Sequence, residues 1–355
     1  MKRALTLIIT LLAAAPSMAT VIEVPGDYSN IQAAINAGSD DDTVLVHPGI
    51  YYQNIGFNGH NVVLGSQFLT TGNSDYISTT IIDGAGAGSV ITLTSGETSA
   101  AKIIGFTIRN GDNIRGGGIY CDNVQPEIRH CVITSNIAHP DINWNGLGGG
   151  LYCHQADITL KNNVFCFNEA YYDGGGIYIY DSDAIFMNNL FWGNNAMYGG
   201  AVSGGLSSTL QITNSICWAN SAIDLGDEFY FGDAVLPTIT YCDIAGEIWP
   251  GDGNLSTDPL LRDPANGDFH LMATACGDPQ DSPCIDAGNP AVLDSFLDCN
   301  WGLGETRSDM GACGGAIIIN PVPTLSEWGL IILALLILAS GMAAIIRRGR
   351  AGQPE

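Results

Sequence analysis

Basic residues are scarce. The 355-residue chain has 12 Lys and Arg against 36 Asp and Glu, a formal net charge of −24. Five of the twelve (Lys2, Arg3, Arg347, Arg348, Arg350) lie in the two end segments, which hold only Glu327 and Glu355 of the acidic residues. The body between the ends is therefore more acidic than the whole. Such a surface repels nucleic acid and polyanionic glycans, which excludes nucleic acid as a partner. It favours divalent cations, Ca²⁺ outside the cell, as counter-ions. No Cys-x-x-Cys pair occurs, which removes the usual spacing of zinc and thiol–disulfide exchange sites. There is no Gly-x-Ser-x-Gly nucleophile elbow. No Gly-Lys-Ser/Thr follows the glycine runs, so they are not phosphate loops.

Long apolar runs lie at the two ends. The first, residues 4–15, follows Lys2 and Arg3 and precedes Pro16-Ser17-Met18-Ala19. A positive segment, an apolar run too short to span comfortably and a small-x-small site describe a signal peptide over residues 1–19, cleaved between Ala19 and Thr20. The second run predicts a transmembrane helix over 330–346, with Trp328 as a belt residue and a basic tail over 347–355 that stays cytoplasmic. Val322-Pro323-Thr324-Leu325-Ser326-Glu327-Trp328-Gly329, followed by the apolar run and then Arg347, Arg348 and Arg350, resembles the IPTLxxWG class of bacterial C-terminal sorting signals. Val322 replaces the usual Ile. The resemblance implies a Gram-negative-type envelope, transient residence in the inner membrane, and recognition by an exosortase, a transpeptidase-like membrane enzyme that cuts near the motif. The helix is then a temporary tether; the alternative is a permanent single-span anchor.

The body repeats. Gly116-Gly117-Gly118-Ile119, Gly148-Gly149-Gly150-Leu151, Gly174-Gly175-Gly176-Ile177 and Gly199-Gly200-Ala201-Val202 are followed by Asn136, Asn168, Asn194 and Asn220, at offsets of 17, 17, 17 and 18 residues from the aliphatic residue. Aligning on these Asn residues gives columns. Ile128, Leu160, Phe186 and Ile212 form one; His130, Asn162, Asn188 and Asn214 follow; then come Val132, Val164, Leu190 and Ile216. Like residues at alternate positions have the period of a strand. Like residues one repeat apart stack only if each repeat is one coil of a solenoid, with stacked Asn side chains bonding up the stack. Three short strands per coil of about 25 residues predict an all-β, right-handed parallel β-helix.

The Gly-Gly-aliphatic units, with Phe165-Cys166-Phe167-Asn168 and Phe191-Trp192-Gly193-Asn194, resemble the GGAI and FxxN repeats of chlamydial-type polymorphic outer-membrane proteins. Val24-Pro25-Gly26-Asp27-Tyr28, an Ile31–Ile35 helix and Asp42–Val46 resemble the first coil of pectate-lyase-like β-helices. Asp27 or Ser29 is expected to cap that helix. Residues 258–269 and 282–288 resemble a closing module of such proteins. The reading divides the body into a cap and first coils (20–112), regular repeats (113–245), a C-terminal capping module (246–318), and a linker with the sorting motif (319–329). The fold hosts enzymes and inert adhesins alike, so it does not by itself assign an activity.

Candidate sites follow from the columns. Arg129 and Lys161 share an outward column in adjacent coils, with Asp157 and Asp183 nearby. That is the best available match to the basic residue and Ca²⁺ ligands a polysaccharide lyase needs; the alternative is a solvated charge ladder. The Asp40-Asp41-Asp42 run sits in a turn, and no hydrolase set is visible. Ile137–Leu147 carries six extra residues, including His139 and Trp144, and an inserted loop on a rigid solenoid is a place for ligand contacts. Tyr171, Tyr172, Trp192, Tyr198 and Trp218 make either a sugar-stacking strip or turn packing. Cys121 and Cys153 share a repeat position about 4.8 Å apart, as a bridge or a reduced pair. Cys276 with Cys284 and Cys299 with Cys313 are expected to staple the C-terminal module. The reading is an exported cell-surface protein for adhesion, matrix assembly or glycan binding, needing no cofactor. A lyase acting on an acidic glycan and a ligand-free spacer stand as alternatives.

Overall fold

The computed structural model describes residues 19–142 and 145–315. The expected signal peptide up to Met18, Trp144, and the sorting motif with its helix and tail lie outside the described residues. Among the described residues, no helix is long and apolar enough to cross a membrane.

The chain is a parallel β-helix. Each regular coil gives one strand to each of three parallel sheets of nine, eight and seven strands, here sheets 1, 2 and 3, and a two- to five-residue strand to a narrower ribbon between sheets 2 and 3. Glu127–Arg129, for example, pairs with Lys102–Ile104 on one side and Ile158–Lys161 on the other. Alternation then sends every second side chain inward. On sheet 1 the inward column is Val44, Leu64, Ile103, Ile128, Leu160, Phe186, Ile212 and Ile239, all buried. On sheet 2 it is Ile82, Ile108, Ile133, Phe165, Phe191, Cys217 and Ile244, with the Phe165 and Phe191 rings stacked at 5.3 Å. Burying one such side chain contributes about 1.5–3 kcal/mol, and no coil can do so without its neighbours.

The turns are as regular as the strands. Gly148 has φ +67, and a Cβ on Gly149 would lie 2.4 Å from the Glu169 carbonyl oxygen, so the glycine run is required where the backbones of successive coils nearly touch. At the corner between sheet 2 and the ribbon, Asn136 Nδ2 donates to Asn168 Oδ1 (3.0 Å), Asn168 to Asn194 (3.0 Å) and Asn194 to Asn220 (2.8 Å). Asn220 Nδ2 ends the ladder on Glu228 Oε2 at 2.5 Å. Each ladder Oδ1 also accepts a backbone N–H from the preceding coil, that of Gly111 for Asn136 and that of the preceding ladder Asn for the other three, and each Nδ2 bonds a carbonyl.

The column His130, Asn162, Asn188 and Asn214 is a correction. These residues sit at φ +52 to +55, in left-handed turns between sheets 1 and 2. The inward stack belongs one residue later, where Cys131 N donates to Asn163 Oδ1, Asn163 to Asn189, and Asn189 N to Ser215 Oγ. The outer column instead docks the C-terminal module. Asn162 Nδ2 donates to the Ala312 and Gly314 carbonyls, Asn188 Nδ2 to the Asp309 and Gly311 carbonyls, and Asn214 Oδ1 accepts from Asn289 N. The module thus lies along the flank of the solenoid. Val164, Leu190 and Ile216, which point out of sheet 2, pack against its Leu261, Leu271, Cys284, Leu303 and Met310.

Helix α1 (Ile31–Ala37) closes one end of the core with Ile31, Ala34 and Ile35. Its cap is Asn30, whose Oδ1 accepts from Ala33 N at 2.8 Å, not Asp27 or Ser29; Asp27 is held by the Glu23 N–H instead. Trp249 closes the far end against Phe229 at 5.1 Å. Two short helices, α2 (Phe68–Thr71) and α3 (Asp75–Thr79), project from the early coils and cover Ile104 with Phe68 and Leu69.

The cysteine pairing also differs from expectation. Cys276 bonds Cys299, and Cys284 and Cys313 are free. Cys284 is buried and donates to Asp243 at 3.2 Å. Cys121 and Cys153 are register partners as expected, yet both are free inward-facing thiols.

Two predictions follow from the buried polar groups. Asn194→Ala removes the acceptor shared by the Asn168 N–H and Nδ2, at about 1–3 kcal/mol for each group left unsatisfied. Urea unfolding should therefore shift to clearly lower denaturant, whereas exposed Thr209→Ala stays within about 0.5 kcal/mol. Equal midpoints would remove the ladder as a stabilising element. The second concerns pH. Burial pushes the carboxyls of Glu228 and Asp309 up to about 7 and those of Asp173 and Asp294 up to about 6. A folded pKa raised above the unfolded one gives stability that is present at low pH and lost as pH rises through the folded value. Despite the opposing effect of desolvation, hydrogen bonds lower the Asp42 and Asp83 carboxyls, and Asp83 also faces Arg109; that stability is lost only at more acid pH. The melting temperature should accordingly be higher at about pH 5 than at about pH 8, and the reverse order would contradict these assignments.

Candidate functional site

The charged cluster on sheet 1 assembles as the sequence implied, but it is not open. Arg129 and Lys161 are register partners. Arg129 follows Ile104 in its column and is only 5% exposed, with its Nε lacking a hydrogen-bond partner. Burial lowers the pKa of its guanidinium, opposed by neighbouring Glu127. Lys161 and Lys102 both face Glu127, at 3.3 and 3.6 Å. A general base must reach the proton it takes. Arg129 lacks access, and Lys161 is engaged by a carboxylate.

Asp157 and Asp183 lie in adjacent coils, where Asp183 N donates to Asp157 Oδ1 at 3.3 Å. With Thr159, Ile185, Thr209 and Gln211 they line a shallow cavity of about 310 Å³. Among the described residues, no group of three or more His, Cys, Asp or Glu side chains is arranged to hold a metal ion.

The opposite side carries a row of tyrosines. On sheet 3 the outward column reads Thr92, Tyr120, Tyr152, Tyr178, Ser203 and Tyr230. Tyr120 stacks on Tyr152 at 5.5 Å, and Tyr152 on Tyr178 at 5.8 Å. The Arg115 guanidinium lies 5.6 Å from the Tyr152 ring centre, a cation–π contact. Two residues along, Asp122 accepts from the Tyr120 hydroxyl (3.2 Å) and faces His154 Nδ1 (2.9 Å), and the His154 ring meets Tyr180. Gly205 leaves room for the Tyr178 hydroxyl, which would lie 2.8 Å from a Cβ there.

Stacking fixes what this row can do. Tyr152 and Tyr178 are stacked in the row and buried, so their ring faces are covered by neighbouring rings. Burial raises the phenols of Tyr120, Tyr152 and Tyr178 above their ordinary value, that of Tyr152 to about 12. They remain neutral donors and acceptors at physiological pH. Tyr120 ends the tyrosine row, and beyond it a cavity of about 260 Å³ is lined by Asn113, Ile114, Arg115, Tyr120 and Asp141.

Asp141 belongs to the inserted loop, so the loop meets the tyrosine row at its end. His139 turns aside to Asp112 (2.5 Å). Of the aromatic strip, Tyr172 and Tyr198 meet edge to face at 5.3 Å, but Trp192 and Trp218 pack against the C-terminal module. The sequence reading missed Tyr120, Tyr152 and Tyr178, although each follows the aliphatic residue of its glycine unit and their common offset was a usable signal.

Residues 320–350 match the IPTL-CTERM motif. That motif indicates an exported protein anchored at the cell surface and processed by an exosortase-type system. No curated protein matches the chain. Similar solved structures include a pectin methylesterase in complex with a hexasaccharide, at 12% identity and TM-score 0.33, covering 68% of this chain and 66% of that one. Another is the pectin methylesterase from Aspergillus niger in deglycosylated form, at 13% identity and TM-score 0.30, covering 68% of this chain and 86% of that one. The chain spans just under two thirds of the first of these. The protein is thus a parallel β-helix that carries a C-terminal sorting signal.

Proposed function

We propose that the chain is a non-catalytic surface protein that holds a linear glycan along the tyrosine row of sheet 3. The observation that carries this reading is the stack of neutral phenols from Tyr120 to Tyr178, ending at the Arg115–Tyr120 cavity beneath the inserted loop. A sugar chain offers hydroxyls at a steady repeat, and a row of fixed hydroxyl donors and acceptors matches that chemistry without a charge to neutralise. A net charge of −24 favours a neutral glycan over a polyanion.

Delivery completes the reading. Residues 1–19 are removed as a signal peptide. Thr20 supports that boundary, since it is bonded into the first coil through Asp42 Oδ1 (2.7 Å) and the Thr43 N–H. The helix over 330–346 and the tail over 347–355 hold the chain in the inner membrane until the exosortase acts near Val322–Gly329. A Ca²⁺ ion at Asp157 and Asp183 is an accessory to this reading and not a requirement.

Glycan-array binding by the full chain is the test. Retention of at least one linear glycan is expected, weakened about tenfold or more by Arg115→Ala and by Tyr120→Ala, a loss of roughly 1.4 kcal/mol. Release of unsaturated uronate from an acidic polysaccharide would instead establish the lyase. Retention of no glycan would leave the spacer.

A further inference from the structure

The C-terminal module meets the α2–α3 projection where Trp301 packs on Phe68 (5.8 Å). Between them lies a cleft of about 230 Å³, floored by His130, Val132, Asn162 and Val164 of the solenoid and walled by Ile77, Phe269, His270 and Trp301, with Asp75 and Asn300 at its rim. His130 is the unusual group. It occupies the left-handed turn position that Asn162, Asn188 and Asn214 hold in the next three coils. Those Asn side chains are spent on docking the module. His130 makes no such bond.

Its ring is wedged between Phe68 (4.8 Å) and Trp301 (5.8 Å, edge-on), is 4% exposed, and has no hydrogen-bond partner among the described residues. The ring lines the cleft, where its nitrogens are open to an incoming group. Burial, with Arg129 next to it, keeps the imidazole neutral, its pKa down to about 3, so the ring offers one donor and one acceptor.

We propose that this cleft binds a single neutral pyranose unit, with the His130 imidazole as its central hydrogen-bonding group. Three features select that class. The volume falls below the roughly 300 Å³ at which drug-sized sites begin, which limits the occupant to about one ring. Trp301 and Phe269 give apolar surface of the kind a pyranose face covers, while Asp75, Asn300 and His270 ring it with polar groups. His270 is held by Asp268 at 2.6 Å, so carboxylates border the site and disfavour a uronate or sulfated sugar. The site does not depend on the tyrosine row, from which it is separate in sheet and in residues.

Saturation-transfer NMR on the full chain, in a detergent without a sugar headgroup, tests it. The probes are the methyl pyranosides of glucose, galactose and mannose, with methyl galacturonoside as the charged counterpart. Transfer to at least one neutral pyranoside is expected, with little to the uronoside. His130→Asn, which places in this turn the residue that its neighbours already carry, should fold normally and weaken the binding about tenfold or more. Tyr120→Ala should leave it unchanged, which separates this site from the glycan row. No transfer to any neutral pyranoside, equal binding by His130→Asn, or preference for the uronoside would each overturn the proposal.

Discussion

Everything in this molecule depends on each coil satisfying the one beside it. A single coil of some 25 residues has no hydrophobic interior of its own and leaves every strand edge open. Stacking answers both at once, because parallel register puts Leu160 against Ile128 and Phe186 and turns open edges into ladders. The Asn136-to-Asn220 ladder does the same for the corner, where strand pairing stops and backbone groups would otherwise be buried without partners. Register is thus fixed twice, by apolar side chains and by amides that bond only when aligned.

The same constraint shapes the outer surface. Coils that repeat at a fixed rise repeat whatever points outward, so one tyrosine per coil becomes a continuous row. It also explains the C-terminal module. That segment is irregular and is joined by one disulfide, Cys276–Cys299, and it borrows order by laying its backbone on the outward Asn162, Asn188 and Asn214 and on the apolar column of sheet 2.

Much of this was legible in the residues because repetition indexes them. The column Ile128, Leu160, Phe186 and Ile212 is buried as read, and the Asn136 column bonds as read. The failures share a cause. Alternation counts correctly along a strand, but a left-handed turn residue resets the phase, so the inward position falls one residue after His130, Asn162, Asn188 and Asn214. Register gave the Arg129–Lys161 pairing but not the burial of Arg129, because nothing in the period tells what covers a column. Cysteine partners in the C-terminal module had no repeat to index them, and adjacency in sequence proved a poor guide. The tyrosine row was present in the text as the residue after each Ile119, Leu151 and Ile177, overlooked because the glycines drew the alignment.

Under the proposed function, the ladder is displayed outside the cell after the sorting signal is cut away. Intact-mass spectrometry of the protein from its native envelope tests that most directly. The account predicts a mass lacking residues 1–19 and everything beyond the neighbourhood of Thr324. A mass that retains residues 330–346 would contradict it, and would leave a β-helix held permanently by a single span.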